Sequence, residues 1–285
     1  PAQHPPMSGE RPGDTPPADR GSTAVISFVG AGPGAADLLT LRARDRLADA
    51  EVVVWAGSLV NAELLAHCRA DAQLYDSKAL TLEAVCAIYA AHPQARIVRL
   101  HSGDPTVFSA IGEQIDWCRR HQRAFEIVPG VPSSSAVAAA AGCELTIPGV
   151  SQSVVLTRIP GGTRASMPDR ETIRAFAATG ATLAVYLSVR HVDLLVAELL
   201  APGSRYDAAT PVVVGHRTSW PDGTVLRTTI SELSATIAAA GFTATTLFLI
   251  GPALAGATEQ RSHVYAEDYT TRYRTARPGG VGDRQ

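Results

Sequence analysis

Short runs of β-branched residues alternate with amphipathic stretches along residues 24–148. The apolar runs predict strands, and the stretches with helical spacing predict helices, with Asp37 and Thr81 as N-caps. The predicted strands are 24–30, 51–55, 96–100 and 125–128, and the predicted helices are 38–48, 81–91, 108–121 and 133–141. Because strands alternate with helices, we expect a mostly parallel sheet that is covered on both faces.

A second set of elements begins after Pro148-Gly149, where the first pattern breaks. Its predicted strands are 153–158, 182–187, 211–218, 224–230 and 245–250, and its predicted helices are 169–178, 192–200 and 231–240. The segment Trp220-Pro-Asp-Gly223 has the composition of a hairpin turn. The sequence therefore predicts two α/β domains, 24–148 and 149–255, between a disordered proline-rich leader, 1–23, and a tail, 256–285.

Composition and charge exclude several classes of protein. Of 285 residues, 46% are hydrophobic and 18% are charged, so the chain can bury a sizeable core. A net charge of −2 argues against a nucleic-acid partner, and no apolar stretch approaches the ~20 residues that span a bilayer. The leader lacks the apolar segment of a signal peptide, so we expect a cytoplasmic protein.

The cysteines do not indicate a metal or redox centre. No pair has the CxxC spacing of zinc and redox motifs, and each cysteine lies in an apolar or helical stretch. We therefore expect no metal site and four reduced thiols, at Cys68, Cys86, Cys118 and Cys143.

The segment Gly30-Ala-Gly-Pro-Gly-Ala35 follows the first predicted strand and matches one form of the dinucleotide fingerprint. Two details oppose a nicotinamide site. Pro33 removes a backbone N–H from the loop, and the acidic residue at the right distance, Glu51, precedes the second strand instead of following it. A tight turn beside a different ligand is favoured, and a nicotinamide-dependent oxidoreductase is kept as an alternative.

Two further loops lie at the carboxyl ends of predicted strands, where open α/β sheets bind ligands. They are His101-Ser-Gly-Asp-Pro105 and Pro129-Gly-Val-Pro-Ser-Ser-Ser135, and each is also compatible with a simple turn or helix cap. Loops of the second domain carry arginines, whose guanidinium groups suit carboxylate ligands, although single surface arginines are usually only solvated. We find no catalytic triad and no Walker loop, so a bound cosubstrate is expected to supply the chemistry.

Taken together, these segments resemble the tetrapyrrole methylases, the two-domain S-adenosylmethionine (SAM) enzymes of corrin and sirohaem synthesis. The shared markers are Val29-Gly-Ala-Gly-Pro-Gly34, Gly103-Asp-Pro105, Val128-Pro-Gly-Val131 and the strand 182–187. Finer markers resemble the branch that methylates C11 of precorrin-4: Tyr75-Asp-Ser77, His101-Ser102, Glu144-Leu-Thr146, the run 151–158, and Trp220-Pro-Asp222 with Arg227-Thr-Thr229. The chain departs from the family pattern at Ala35, at Phe108-Ser-Ala110 and in the longer loop 162–168.

The resemblance implies that SAM lies in a cleft between the two domains. The contacts that it implies are Pro33, Ser102, Gly103, Asp104, Val107, Ser133, Ser134, Leu187, the backbone at Arg217, Thr245 and Thr246. Asp104 is expected to contact a ribose hydroxyl or the methionine amine. Arginines are expected to hold the carboxylates of the tetrapyrrole, namely Arg158, Arg164, Arg190 and Arg217.

The activity implied is methyl transfer to C11 of precorrin-4 or cobalt-precorrin-4, which gives precorrin-5 in cobalamin biosynthesis, by a homodimer. No single catalytic residue is assigned, and no membrane contact is expected. The alternatives are a uroporphyrinogen-III C-methyltransferase of the sirohaem branch and a non-catalytic tetrapyrrole-binding module.

Overall fold

A computed structural model describes residues 24–160, 167–256, 262 and 266–276. The expected leader, most of the loop 161–168 and much of the tail lie outside these residues. Contacts divide the chain into two compact units, one that ends at Pro132 and one that begins at Ser133. The domain boundary predicted from the sequence leaves the helix 133–141 in the first domain, whereas the contacts of this helix lie in the second unit.

The first unit is built on one parallel sheet of five strands. The strands are β1 Val25–Gly30, β2 Val52–Trp55, β3 Gln73–Asp76, β4 Ile97–His101 and β5 Ala124–Val128. Their order in the sheet is β3-β2-β4-β1-β5. The expectation of a parallel sheet is confirmed. The edge strand β3 was not predicted, because it is half exposed and carries no continuous apolar run.

Helices cover both faces of this sheet. They are α1 Leu41–Asp49, α2 Leu82–Ala91 and α3 Ile111–Arg120, with short 3-10 turns at Ala36–Leu38, Ala62–His67 and Ser77–Ala79. Alternate residues of β1 point to opposite faces, so Val29 joins a cluster with Leu47 and Leu64, while Phe28 packs with Tyr89 on the other side. Burial on two faces explains why β1, β2 and β4 are almost continuously apolar.

The first helix begins later than the sequence pattern predicted. Asp37 lies within the 3-10 turn, and the N-cap of α1 is Thr40, whose hydroxyl accepts a hydrogen bond of 3.2 Å from the Ala43 N–H. Thr40 has the extended backbone and the side-chain oxygen that a cap requires. The cap predicted for α2 at Thr81 is confirmed.

Within the described residues, the second unit contains a mixed sheet of five strands and four α-helices. The elements are α4 Ser133–Ala141, β6 Val154–Arg158, α5 Ile173–Ala177, β7 Thr182–Tyr186, α6 Val192–Leu199, β8 Pro211–His216, β9 Thr224–Thr229, α7 Leu233–Ala240 and β10 Thr246–Ile250. The strand order is β6-β7-β10-β8-β9. Strand β10 runs antiparallel to β7 and β8, β6 is parallel to β7, and β8 and β9 form the predicted hairpin. In this order the ends of β6, β7 and β8 lie at the same edge as the start of β10.

Helix α4 packs on one face of the second sheet. Its Val137 belongs to an apolar cluster with Val213, Leu247 and Leu249. A Cβ atom at Gly215 would lie 2.2 Å from the Val137 side chain, so β8 needs glycine where the helix crosses it. Over the residues that the structure describes, no helix is both long enough and apolar enough to cross a membrane.

Candidate functional site

Three loops of the first unit meet at the carboxyl edge of its sheet because β4, β1 and β5 are neighbours. The loops after β1 and β4 pair through their backbones: Gly32 N–H donates to Gly103 O at 3.2 Å, and Gly103 N–H donates to Gly32 O at 2.8 Å. Ala31 N–H also donates to His101 O at 2.7 Å. We call the surface formed by 30–35, 102–107 and 129–132 the glycine edge.

The loops of the glycine edge approach so closely that side chains would not fit between them. A Cβ atom at Gly30 would lie 2.6 Å from Gly103 O and 2.6 Å from the Gly130 Cα atom, and one at Gly130 would lie 2.3 Å from Gly103 O. Gly103 also has a φ of +65°, in the left-handed region that favours glycine. The glycine-rich segment that begins at the end of β1 therefore serves to bring its loop into contact with the loops after β4 and β5.

Asp104 links the second and third loops of the glycine edge. Its Oδ2 accepts from Gly130 N–H at 2.9 Å, and its Oδ1 accepts from Thr106 N–H at 2.8 Å and from the Thr106 hydroxyl. Its backbone oxygen accepts from Val107 N–H at 3.2 Å. Both carboxylate oxygens are thus bonded within the chain.

The structure brings together five of the residues that the resemblance implied for the cofactor. Pro33 and Gly103 are buried and Ser102, Asp104 and Val107 are half-buried, all within the glycine edge. Ser133 and Ser134 directly follow the loop 129–132 in the sequence and belong to the second unit, where they form the first turn of α4. Ser134 is buried and Ser133 is half-buried.

Phe108 and Ala110 adopt unusual backbone conformations that the sequence pattern did not predict. They have φ values of +52° and +49°, and the Phe108 side chain is 46% exposed. Non-glycine residues with positive φ store strain, which occurs preferentially at ligand sites. An aromatic residue three positions after the Gly-Asp-Pro motif was the available signal.

The imidazole of His101 is neutral in the folded protein. Burial, reinforced by the positive charge of Arg99, lowers the pKa of His101 to about 3. Within the described part of the chain, its Nε2 has no hydrogen-bond partner. Arg99 is itself buried, where Nη1 donates to Val54 O at 3.2 Å, and burial lowers its pKa.

The second unit has a corresponding edge, at which three non-glycine residues adopt left-handed backbone conformations. Leu187 follows β7, Arg217 follows β8 and Thr245 precedes β10, with φ values of +55°, +45° and +49°. Arg217 N–H donates to Thr245 O at 3.0 Å, and Leu187 is 69% exposed. We call these three residues the strained edge; all three were expected to contact the cofactor.

Thr246, which was expected to contact the cofactor, has its side chain engaged inside the second unit. It is 7% exposed, and its hydroxyl bonds to His216 Nδ1 at 3.1 Å and donates to Ala244 O at 2.9 Å. The His216 ring stacks on Phe242 with 4.1 Å between centroids. Burial lowers the pKa of His216.

Three of the four arginines expected to hold substrate follow strands that end at the same edge of the second sheet. Arg158 ends β6, Arg190 lies just beyond β7 with its Nε donating to Thr243 O at 3.2 Å, and Arg217 follows β8. The Arg217 guanidinium lies 2.8 Å from the Asp222 carboxylate and 4.2 Å above the Trp220 ring. Arg164 lies outside the described residues.

The glycine edge has the wrong chemistry for a pyrophosphate. Pro33, in the first loop, has no N–H to donate to a phosphate. The glycine segment leads into the 3-10 turn Ala36–Leu38, so no α-helix N-terminus directly follows it as the dinucleotide fold requires. These features suit a ligand without phosphate groups. Among the described residues, no cluster of histidine, cysteine, aspartate or glutamate could hold a metal ion.

Comparison with known families and curated proteins gives a consistent result. A family model for tetrapyrrole (corrin/porphyrin) methylases matches residues 25–234. The chain is 42% identical over 253 residues to the precorrin-4 C(11)-methyltransferase of Sinorhizobium sp., covering 88% of this chain and 98% of that protein. It is 36% identical over 251 residues to the cobalt-precorrin-4 C(11)-methyltransferase of Methanocaldococcus jannaschii, covering 87% and 95%. The sirohaem synthase of Methylococcus capsulatus is 32% identical over 244 residues, covering 82% of this chain but only 50% of that protein.

Solved structures agree with the sequence relatives. The crystal structure of a cobalt precorrin-4 methyltransferase superposes with a TM-score of 0.78 at 36% identity, covering 83% of this chain and 98% of that one. The uroporphyrin-III C-methyl transferase of Thermus thermophilus, complexed with S-adenyl homocysteine, gives a TM-score of 0.66 at 29% identity, covering 81% and 98%.

Proposed function

The chain belongs to the tetrapyrrole (corrin/porphyrin) methylases, and we propose that it methylates C11 of precorrin-4 or cobalt-precorrin-4 to give precorrin-5 in cobalamin biosynthesis. The observation that carries this proposal is the likeness to C(11)-methyltransferases over nearly their whole length. The relative from the sirohaem branch is covered over only half of its length.

S-adenosylmethionine is the methyl donor. When bound, it supplies a methyl group that is ready for transfer, because the sulfonium to which it is attached is a good leaving group. The glycine edge is compatible with this ligand, because SAM carries no phosphate and so does not need the α-helix N-terminus that this edge lacks. Its bare loop backbones allow close approach of a small molecule. We propose that Pro33, Ser102, Gly103 and Val107 contact SAM in the first unit.

In the second unit we propose that the strained edge also contributes to SAM binding. Leu187 exposes a large apolar side chain on a left-handed backbone, a strained conformation that costs roughly 1–3 kcal/mol and that is found preferentially at ligand sites. Thr245 is exposed and directly precedes the neighbouring strand β10. Replacing Leu187 with glycine should relieve the backbone strain and so raise stability, while it weakens SAM binding. Opposite changes in stability and affinity would distinguish a binding role from a folding role.

The chain's part in the reaction is alignment and exclusion of water. A nucleophilic ring carbon attacks the methyl group directly, so the transfer step does not need a strong general base from the protein. Holding the reacting atoms in line within a dry site can supply much of the rate acceleration. No described residue needs to be assigned as proton acceptor for this step.

The substrate carries several carboxylates, and we propose that Arg158 and Arg190 bind them at one edge of the second sheet. Guanidinium groups form bidentate hydrogen bonds with carboxylates. Arg217 is already bonded to Asp222 and stacked on Trp220, so it would have to exchange partners to take part. Arg164 remains part of the proposal on the strength of the family resemblance alone.

Mass spectrometry of the reaction product tests the function. Purified protein with SAM should add one methyl group to precorrin-4 or cobalt-precorrin-4, and the two substrates in parallel decide which is used. Arg190→Gln should raise KM for the tetrapyrrole, while Arg44→Gln, an exposed arginine paired to its neighbour Asp45 in α1, should not. Two methyl groups on uroporphyrinogen III, with none on precorrin-4, would assign the chain to the sirohaem branch.

We also propose that the enzyme works as a homodimer, as the family resemblance implies, and that it is cytoplasmic, as its sequence led us to expect. Light scattering coupled to size-exclusion chromatography measures the mass in solution. A mass equal to that of one 29.9 kDa chain at micromolar concentration would contradict the dimer.

A further inference from the structure

The side chain of Arg217 is held within the loop 217–223, which joins β8 to β9. We propose that Arg217 is a positioning residue, whose guanidinium group fixes this loop and with it the Arg217 backbone that the strained edge offers to SAM. This inference rests on the proposed function, because it concerns the part of the strained edge in SAM binding. It gives the Arg217 side chain a role different from the substrate contact that was expected for it.

The Arg217 guanidinium has two partners within its own loop. Its Nε donates to Asp222 Oδ1 at 2.9 Å and lies 2.8 Å from Asp222 Oδ2. Its Cζ atom lies 4.2 Å from the centroid of the Trp220 ring, which is within the range of a cation–π contact. The hydrogen bond from Arg217 lowers the pKa of Asp222, so this carboxylate is ionised at neutral pH. The guanidinium group therefore connects the beginning of the loop to its middle and its end.

The backbone of the same loop also folds around Arg217. Arg217 O accepts from Trp220 N–H at 2.9 Å, and Trp220 O accepts from Gly223 N–H at 2.9 Å, so the loop consists of two consecutive turns. A Cβ atom at Gly223 would lie 2.5 Å from Arg217 O, which explains why glycine stands at this position. The side-chain and backbone contacts of Arg217 thus act on one short segment.

The loop holds two residues in left-handed backbone conformations, Arg217 with a φ of +45° and Ser219 with a φ of +70°. Because neither is glycine, both conformations need surrounding contacts in order to persist. One such contact is the hydrogen bond of 3.0 Å from Arg217 N–H to Thr245 O, which joins two members of the strained edge. Without the guanidinium contacts, we expect a smaller fraction of molecules to hold the loop in this arrangement, and the apparent affinity for SAM falls with that fraction.

A substrate carboxylate would compete with Asp222 for the same guanidinium group. The two possible roles of Arg217 therefore predict opposite effects of Asp222→Asn. If Arg217 positions the loop, this substitution should loosen the loop and weaken SAM binding. If Arg217 instead binds the substrate, the substitution removes a competitor and should strengthen substrate binding.

Isothermal titration calorimetry with S-adenosylhomocysteine, the demethylated form of SAM, tests the inference. Arg217→Gln should weaken binding about 3- to 30-fold, as expected for loss of one exposed ion pair and one cation–π contact. Asp222→Asn should weaken it about 2- to 5-fold, and the double variant should bind no more weakly than Arg217→Gln alone, because both residues act through one contact. Arg174→Gln is the matched control, since Arg174 is paired with Glu198 at 3.4 Å in the same unit, and it should leave affinity unchanged.

Methylation kinetics separate positioning from substrate binding. Arg217→Gln and Asp222→Asn should raise KM for SAM without raising KM for the tetrapyrrole at saturating SAM. The inference would be overturned by wild-type affinity for S-adenosylhomocysteine in Arg217→Gln. It would also be overturned by a KM for the tetrapyrrole that rises in Arg217→Gln and falls in Asp222→Asn. If the wild-type protein did not bind S-adenosylhomocysteine at all, the proposed function on which the inference rests would fall instead.

Hydrogen exchange at the Gly223 amide measures the order of the loop without any ligand. Arg217→Gln should accelerate this exchange about 3- to 30-fold, by the same reasoning, whereas Arg174→Gln should not. Unchanged exchange at Gly223 in Arg217→Gln would show that the loop is held without the guanidinium group, and would contradict the inference. Arg217→Lys is the second variant should the glutamine variant not fold. It keeps the charge but lacks the planar group, so it should also accelerate exchange and weaken binding of S-adenosylhomocysteine.

Discussion

Replacing Gly30 with alanine should destabilise the first unit, although alanine normally favours folding. The φ of Gly30 lies outside the left-handed region, so the backbone itself permits alanine. The new methyl group would lie 2.6 Å from Gly103 O and Gly130 Cα, about 0.8 Å closer than ordinary contact at 3.4 Å. All of the opposing atoms are backbone, so they cannot rotate away. Overpacking of this kind costs about 1–3 kcal/mol, which exceeds the entropic gain of about 0.4–1 kcal/mol from removing a glycine.

Gly112→Ala is the matched control, because it is the same chemical change at an open position of the same unit. Gly112 lies in the first turn of α3, and nothing lies within 4 Å of the place that its Cβ atom would take. Alanine should raise the free energy of unfolding there by about 0.5 kcal/mol through helix propensity. The two substitutions should therefore shift stability in opposite directions.

Urea denaturation followed by tryptophan fluorescence measures both variants. In a Trp220→Phe background the two remaining tryptophans, Trp55 and Trp117, lie in the first unit, so the signal reports that unit alone. Gly30→Ala should lower the urea midpoint with an unchanged slope, and should weaken S-adenosylhomocysteine binding as well. A urea midpoint for Gly30→Ala that equals or exceeds that of wild type would refute the close-contact reasoning.

Three further predictions concern buried polar groups of the first unit. Burial raises the pKa of Glu126, but hydrogen bonds from Arg46 and Ser27 outweigh it and the net pKa is lowered. The contribution of the Glu126 carboxylate to stability is therefore present at neutral pH and lost as pH falls through its pKa in the folded protein. Glu126→Gln should flatten the acid side of a plot of unfolding free energy against pH. The pKa of His101 is lowered from 6.5 to about 3, so the unfolded chain binds the proton more tightly than the folded protein does. The free energy of unfolding should therefore fall as pH drops below 6.5. His101→Gln should reduce this fall with pH in the same titration. Tyr89→Phe removes the donor to Gln114 Oε1, bonded at 2.7 Å, and should cost about 1–3 kcal/mol in urea denaturation without changing S-adenosylhomocysteine affinity.

Sequence patterns identified most strands and helices of both units because those elements obey local rules. The buried strands β1, β2 and β4 are continuous apolar runs, and α2 has a threonine cap that its sequence shows. The pattern failed where the local signal was weak or ambiguous. Strand β3 is half exposed, so its own side chains give little indication of a strand, and backbone pairing with β2 stabilises it instead. Asp37 and Thr40 are both competent caps, and the backbone path through the 3-10 turn selected Thr40.

The sequence alone determined the α/β class, the order of elements along the chain and the three loops that bear the candidate site, since each depends on neighbouring residues. Only the tertiary structure decided which loops touch, because contacts such as Asp104 to Gly130 join residues 26 positions apart. Their formation depends on the strand order β4-β1-β5, which local periodicity does not encode. The same applies to the left-handed backbones of Leu187, Arg217 and Thr245, which become neighbours only when β10 inserts antiparallel between β7 and β8. Non-local pairing sets these conformations against the intrinsic preference of the residues themselves.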